Sequence, residues 1–180
     1  LRSQVNPRGQ ATSFTYDRLS RVTTRTEPEG TTTWTWGTSG VSRNIGALAA
    51  VSAPRFSESY QYDPYGRLSV VPRAAAGLSM VSQQTYDVAT GLPDVFAYPQ
   101  TTASARLRVR HHHDRGRLVR VSDADSGATY WQLNAVDARG LVSDETLGNG
   151  VRGASTYDAV TGSLVARTAG PGGGSSYQNL

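Results

Sequence analysis

The side chains best equipped for chemistry lie in one run, Arg106-Leu-Arg108-Val-Arg110-His111-His112-His113. On an extended strand alternate residues face opposite ways, so Arg106, Arg108 and Arg110 would share one face with His112. Leu107 and Val109 would share the other with His111 and His113. Three guanidiniums in line make an anion stripe for phosphate, a sulfated cell-surface glycan or an acidic protein. The plainer reading is a solvated face whose arginines pair with nearby carboxylates, which is what most charge runs are. A metal centre would need two ligands beyond His111 and His113, so no metal is expected. Trp34 and Trp36 point to one face and could stack on a sugar ring; packing within a sheet explains them more simply. Asp123-Ala-Asp125-Ser-Gly127 resembles a calcium loop but lacks the distal glutamate. A hairpin turn between 119–121 and 129–131 accounts for it better.

What the sequence lacks narrows the chemistry further. The 180 residues include no cysteine, and all 18 basic residues are arginine. Thiolate nucleophiles, phosphate-loop lysines and Schiff bases are thereby removed. The only histidines are the three at 111–113, and no Gly-x-Ser-x-Gly elbow exists to use one of them. The expectation is a chain that is not an enzyme and has no cofactor. Net charge is +4 with a pI near 9.7, but outside 106–120 the arginines are scattered. Nucleic acid is therefore a disfavoured partner. No run approaches the ~18 apolar residues of a membrane helix.

The elements that must position these groups come from a repeat. Tyr16-Asp17, Tyr60-Gln-Tyr62-Asp63, Tyr86-Asp87 and Tyr157-Asp158 recur, with degenerate copies at Asp114 and Asp137 and a half-copy at Asn6-Pro-Arg-Gly9. The aspartates at 17, 63, 87, 114, 137 and 158 stand twenty-odd residues apart, apart from one gap of about two periods that contains the turn Glu27-Pro-Glu-Gly30. That period suits two strands and two turns. In the copy at 60–68, Tyr60 and Tyr62 alternate with polar residues as on a half-covered strand. Asp63 opens an Asx turn, Gly66 takes positive φ, and Arg67 and Leu68 start the returning strand. Gly91, Gly116, Gly140 and Gly162 stand in comparable turn positions. Ser20 occupies the glycine position of the first copy. The fold expected is all-β, with antiparallel strand-turn-strand units in a curved or spiralling sheet. Ala74–Gly77 and Gly170–Ser176 read as connectors, and any helix would be short.

The Tyr-Asp-x-x-Gly-Arg-Leu unit resembles the RHS or YD repeat. So do Trp131–Asp137, the stretch Glu145–Val151 with Gly148, Asn149 and Gly150, and the final Tyr177-Gln-Asn-Leu180. The resemblance covers essentially all of 1–180 and implies one repeat region belonging to a longer array. It further implies a hollow β-shell around a carboxy-terminal toxic domain, in a secreted or cell-surface protein. The implied partners are neighbouring repeats and the enclosed domain. The family's self-cleaving segment has no match here, so no catalytic residue is carried over. A carbohydrate-binding repeat module, using Arg106, Arg108, Arg110, Trp34 and Trp36, is the alternative.

Overall fold

A computed structural model describes residues 2–100, 105–171 and 178–179. Tyr177, Leu180 and residues 172–176 of the glycine-rich segment lie outside the described residues. The described chain is all-β and contains no helix, so none is present that could cross a membrane. It divides into two compact units, 1–84 with 98–106 and 85–97 with 107–180.

In the first unit the strands are β1 (Ser3–Val5), β2 (Ala11–Tyr16), β3 (Val22–Glu27), β4 (Gly30–Trp36), β5 (Leu48–Ala53), β6 (Phe56–Ser59), β7 (Gln61–Tyr62), β8 (Leu68–Ala75) and most of β9 (Leu78–Tyr86). Consecutive strands pair antiparallel, with β6 and β7 sharing β8 as partner. Threonines dominate β2 to β4, where a β-branched hydroxyl packs well on a pleated surface. Cross-strand pairs lace them: Thr15 and Thr24 hydroxyls lie 2.6 Å apart and those of Thr26 and Thr31 3.1 Å apart. Ala74 and Ala75 are not a connector. They complete β8, and the chain turns at Ala76-Gly77, both with positive φ.

The second unit runs through β10 (Pro93–Ala97), β11 (Arg108–Asp114), β12 (Arg117–Asp123), β13 (Thr129–Val136), β14 (Val142–Leu147), β15 (Val151–Tyr157), β16 (Leu164–Pro171) and β17 (Gln178–Asn179). Each pairs antiparallel with the next. Gly170 and Pro171 close β16, so the connector reading of this segment is also corrected.

The core is thin. Among the described residues only Val95, Ala97 and Val109 are buried apolar side chains. The chain's order rests on backbone ladders and on how each ladder is turned round.

Candidate functional site

The groups that recur are the corners, and they come in two main designs. In the five-residue design the first residue is Asn6, Asp17, Asp63 or Asp137. Its amide donates to the carbonyl four residues on, at 3.0, 2.9, 2.8 and 2.9 Å, and its own carbonyl accepts from the amide three residues on. Its Oδ1 accepts the two amides at positions two and four: Arg8 and Gln10, Leu19 and Arg21, Tyr65 and Arg67, Arg139 and Leu141. One side-chain oxygen thus satisfies two amides that the reversal takes out of the ladder. The fourth residue must take positive φ, and Gly9, Ser20, Gly66 and Gly140 do so.

The six-residue design occurs at Asp87, Asp123 and Asp158. The amide of the first residue now reaches the carbonyl five residues on, and the glycine amide (Gly91, Gly127 or Gly162) returns to the aspartate carbonyl. A hydroxyl fills the extra space. Thr90, Ser126 and Thr161 each donate both amide and hydroxyl to the aspartate Oδ1, at 2.6 to 2.9 Å.

These bonds set the acidities. Asp17 is lowered below its ordinary value chiefly by the Arg21 amide. Partial burial pushes Asp63 upward, but the Arg67 guanidinium and amide overcome it and leave it lowered. Thr90 lowers Asp87 through its hydroxyl and amide, and the Thr161 amide does most for Asp158. Asp123 falls to about 2, through the Ser126 amide first and then the Tyr130 hydroxyl. Each carboxylate is held as an anion by fixed donors.

Aromatic rings sit just before the corners. Tyr62 donates to the Leu48 carbonyl at 2.7 Å and Tyr157 to that of Val142 at 2.9 Å. Trp36 does the same to Val22 at 2.9 Å, and the Gly37 amide donates to the Ala47 carbonyl. Trp36-Gly37 is therefore the missing corner in the long gap between Asp17 and Asp63. Glu27–Gly30 turns the chain at the opposite end of the strands. The sequence reading missed Trp36-Gly37 because neither residue matches Tyr-Asp, although its place near mid-gap was a signal. The hairpin turn expected at Asp123–Gly127 is present between β12 and β13; its kinship with the repeat corners was overlooked, although Asp-x-x-Ser-Gly matches Asp87-x-x-Thr-Gly91 and Asp158-x-x-Thr-Gly162. Tyr16 and Tyr86 close β2 and β9 directly before their aspartates, Tyr60 joins β6 to β7, and Leu68 opens β8 opposite Tyr62.

The Asp114 copy needs correction. Asp114 is the last residue of β11 and pairs with Arg117 across a two-residue turn, Arg115-Gly116, with both φ positive. That geometry suits the twist of a tight hairpin and needs no Asx bond. At Gly148–Gly150 the Gly150 amide bonds the Leu147 carbonyl, and Asn149 Oδ1 accepts the Val151 amide.

Arginines join neighbouring corners. Within the first unit Arg21 donates to the Gly46 carbonyl at 3.0 Å and lies over the Trp36 ring at 4.6 Å. Within the second, Arg117 reaches the Gly140 carbonyl at 3.2 Å and Arg139 the Asp158 carbonyl at 2.6 Å.

The anion stripe is not assembled. Arg106 precedes β11 and donates to the Tyr98 and Val81 carbonyls and to Gln83 Oε1. Arg108 pairs with Asp125 at 2.6 Å and Arg110 with Asp94 at 3.3 Å. His112 contacts Ser122 Oγ at 2.9 Å and accepts from Arg120; burial, then Arg120 and Arg110, hold its pKa down. A bulge between His112 and His113 breaks the simple alternation. Trp34 is half-buried on β4. Nothing here favours a glycan site.

Antiparallel strands turned by recurring Asx corners define a hairpin-repeat protein. Residues 1–32 match the RHS Repeat family model, and the corner found there at Asp17 returns at Asp63 and Asp137. No curated protein matches the chain. Among solved structures, the Tc holotoxin pore of Photorhabdus luminescens aligns with 99% of this chain and 13% of its own, at 14% identity and a TM-score of 0.40. A TcdB2-TccC3-TEV crystal structure aligns with 99% and 13%, at 13% identity and a TM-score of 0.40. The chain thus spans 13% of the length of either.

Proposed function

We propose that this chain is wall rather than machinery: a segment of an RHS-repeat shell that encloses and protects a carboxy-terminal toxic domain, exported as part of a larger toxin or surface protein. It has no catalytic activity of its own. The observation carrying this is the pairing of dense corner bonding with a nearly absent core, three buried apolar side chains among the described residues. A sheet so exposed gains stability from neighbouring strands and from whatever covers its faces. The conspicuous carboxylates support the same reading, because the corners already occupy them with backbone amides.

The test is limited proteolysis of the full-length protein. Asp63→Ala with Asp158→Ala should open the wall and expose the enclosed domain to cleavage, while leaving that domain's own activity intact once it is released. Unchanged protection in a variant with demonstrably loosened corners, or substrate turnover by the repeat region itself, overturns the reading.

A further inference from the structure

In the first unit, three successive corners at one end of the strands carry large apolar residues at their tips. Leu19 of the Asp17 corner is 72% exposed, Val41 and Ile45 of the loop after Trp36 are 96% and 73% exposed, and Tyr65 of the Asp63 corner is 78% exposed. The three are contiguous. Arg21 bonds Gly46 at 3.0 Å, and the Arg43 carbonyl lies against Gly66, 3.6 Å from where a Cβ would stand.

The charges at this end are equally ordered. Asp17 and Asp63 are each neutralised by their own arginine, Arg21 and Arg67, at 2.7 Å. Arg18 and Arg43 sit exposed beside the apolar tips, and among the described residues no carboxylate pairs with either. The opposite end of the same unit differs. Its tips are Pro7-Arg8, Pro28-Glu29, Pro54-Arg55 and Ala76-Gly77, of mixed charge and without a large apolar apex. Val5 and Leu78 are exposed there, but on strand shoulders.

From this asymmetry we infer that the Leu19–Val41–Ile45–Tyr65 rim, with Arg18 and Arg43, docks on an anionic lipid headgroup layer. The chemistry suits that occupant. Exposed apolar tips carried on separate corners match a fluid surface that adapts to each one. A protein interface instead concentrates its anchors in well-packed pockets. Tyr65 carries an amphipathic ring of the kind found at lipid–water boundaries, and unpaired guanidiniums are drawn to anionic headgroups.

Vesicle flotation of the full-length protein tests this, using phosphatidylcholine vesicles with and without phosphatidylserine. Binding should require phosphatidylserine and weaken as salt rises. Arg18→Glu with Arg43→Glu should cut the bound fraction at least about fivefold, because it reverses the attraction. Arg18→Lys with Arg43→Lys should retain it, and the matched reversal at the other end, Arg8→Glu with Arg55→Glu, should leave it unchanged. Leu19→Ser with Tyr65→Ser should lower binding even at low salt. Absence of flotation, equal binding to neutral vesicles, equal loss from both charge reversals, or rim protection by a co-purifying protein in place of lipid would each overturn the inference.

Discussion

The Asp63 and Asp158 corners solve one problem with different parts. Both reverse a strand, both begin with aspartate, and both place a glycine of positive φ next to last, Gly66 and Gly162. The Asp63 corner spends its second carboxylate oxygen on the Arg67 guanidinium, with Nε at 2.7 Å. The Asp158 corner is one residue longer and closes with Thr161, whose hydroxyl donates to Asp158 and accepts the Ser163 amide. One corner is completed by an ion pair, the other by a neutral hydroxyl bridge. The Asp63 corner, like that of Asp17, ties its turn to a cation, and Arg21 also reaches outward toward Gly46. The Asp158 corner closes without an ion pair, and Arg139 reaches it from outside at the backbone carbonyl.

Asparagine substitution separates the two designs most sharply. In Asp63→Asn the new NH₂ faces the Arg67 guanidinium, donor against donor, and the corner loses its charge-assisted pair. In Asp158→Asn the Oδ1 acceptor for Val160 and Thr161 is kept, and no fixed cation is opposed. Asp63→Asn should therefore depress the melting temperature clearly more than Asp158→Asn. The chain contains its own neutral version of the first corner: Asn6 donates from Nδ2 to Gln10 Oε1 at 2.8 Å, with Gln10 in the position of Arg67. Asp63→Asn combined with Arg67→Gln should accordingly recover most of the loss. Failure of that rescue, measured by thermal melts of all three variants, would mean that the ion pair does not distinguish the designs.

This comparison also marks what the sequence could reveal. The Tyr-Asp spacing was enough for an all-β repeat with corners at Asp17, Asp63, Asp87, Asp137 and Asp158, because turn chemistry is local and needs only side chains a few residues apart. Asp114 was misjudged because Arg115-Gly116 can form a two-residue turn without the aspartate. Trp36-Gly37 was hidden because its ring hydrogen bond to Val22 spans 14 residues, beyond any local pattern. The links from Arg117 and Arg139 to the next corners depend on register, which fixes which side chains meet. The same limit governs Arg106, Arg108 and Arg110. Their linear spacing suggested a stripe, but their partners lie on other segments.

Gly140→Ala tests the link between corners. Gly140 has φ +87°, and a Cβ there would stand 2.8 Å from Arg117 Nη2. The left-handed backbone alone costs roughly 1–2 kcal/mol for a residue with a Cβ. Displacing Arg117 from the Gly140 carbonyl adds to that, for a total of about 2 kcal/mol. Gly9→Ala, at a comparable φ of +77° but with nothing within 4 Å, is the matched control. Chemical denaturation should show the larger loss in Gly140→Ala. Equal losses would place the whole effect in the backbone.

Acid titration sharpens the contrast at the hydroxyl-bridged corners. Asp123 has its pKa lowered to about 2 from an ordinary 3.8. A carboxyl whose folded pKa is depressed stabilises above its unfolded pKa, and that contribution fades as pH falls through the folded value. Stability should hold from neutrality to about pH 5 and decline between about pH 4 and pH 2. Asp123→Asn should start lower and flatten that decline, as followed by melts across the acid range. An undiminished slope would remove Asp123 as its source.

The smallest effect comes from the one five-residue corner that departs from glycine. Ser20 sits at φ 61° where Gly9, Gly66 and Gly140 occupy the same position. A side chain pays for this conformation, whereas glycine adopts it freely but loses more entropy on folding. The two terms nearly cancel, and Ser20→Gly should stabilise by about 0.5 kcal/mol. The Ser20 amide bond to the Asp17 carbonyl, 3.0 Å, needs no side chain and should survive the change. A denaturant midpoint shifted upward without a change in slope is the expected result. A downward shift would show that the Ser20 side chain contributes to the corner beyond its backbone.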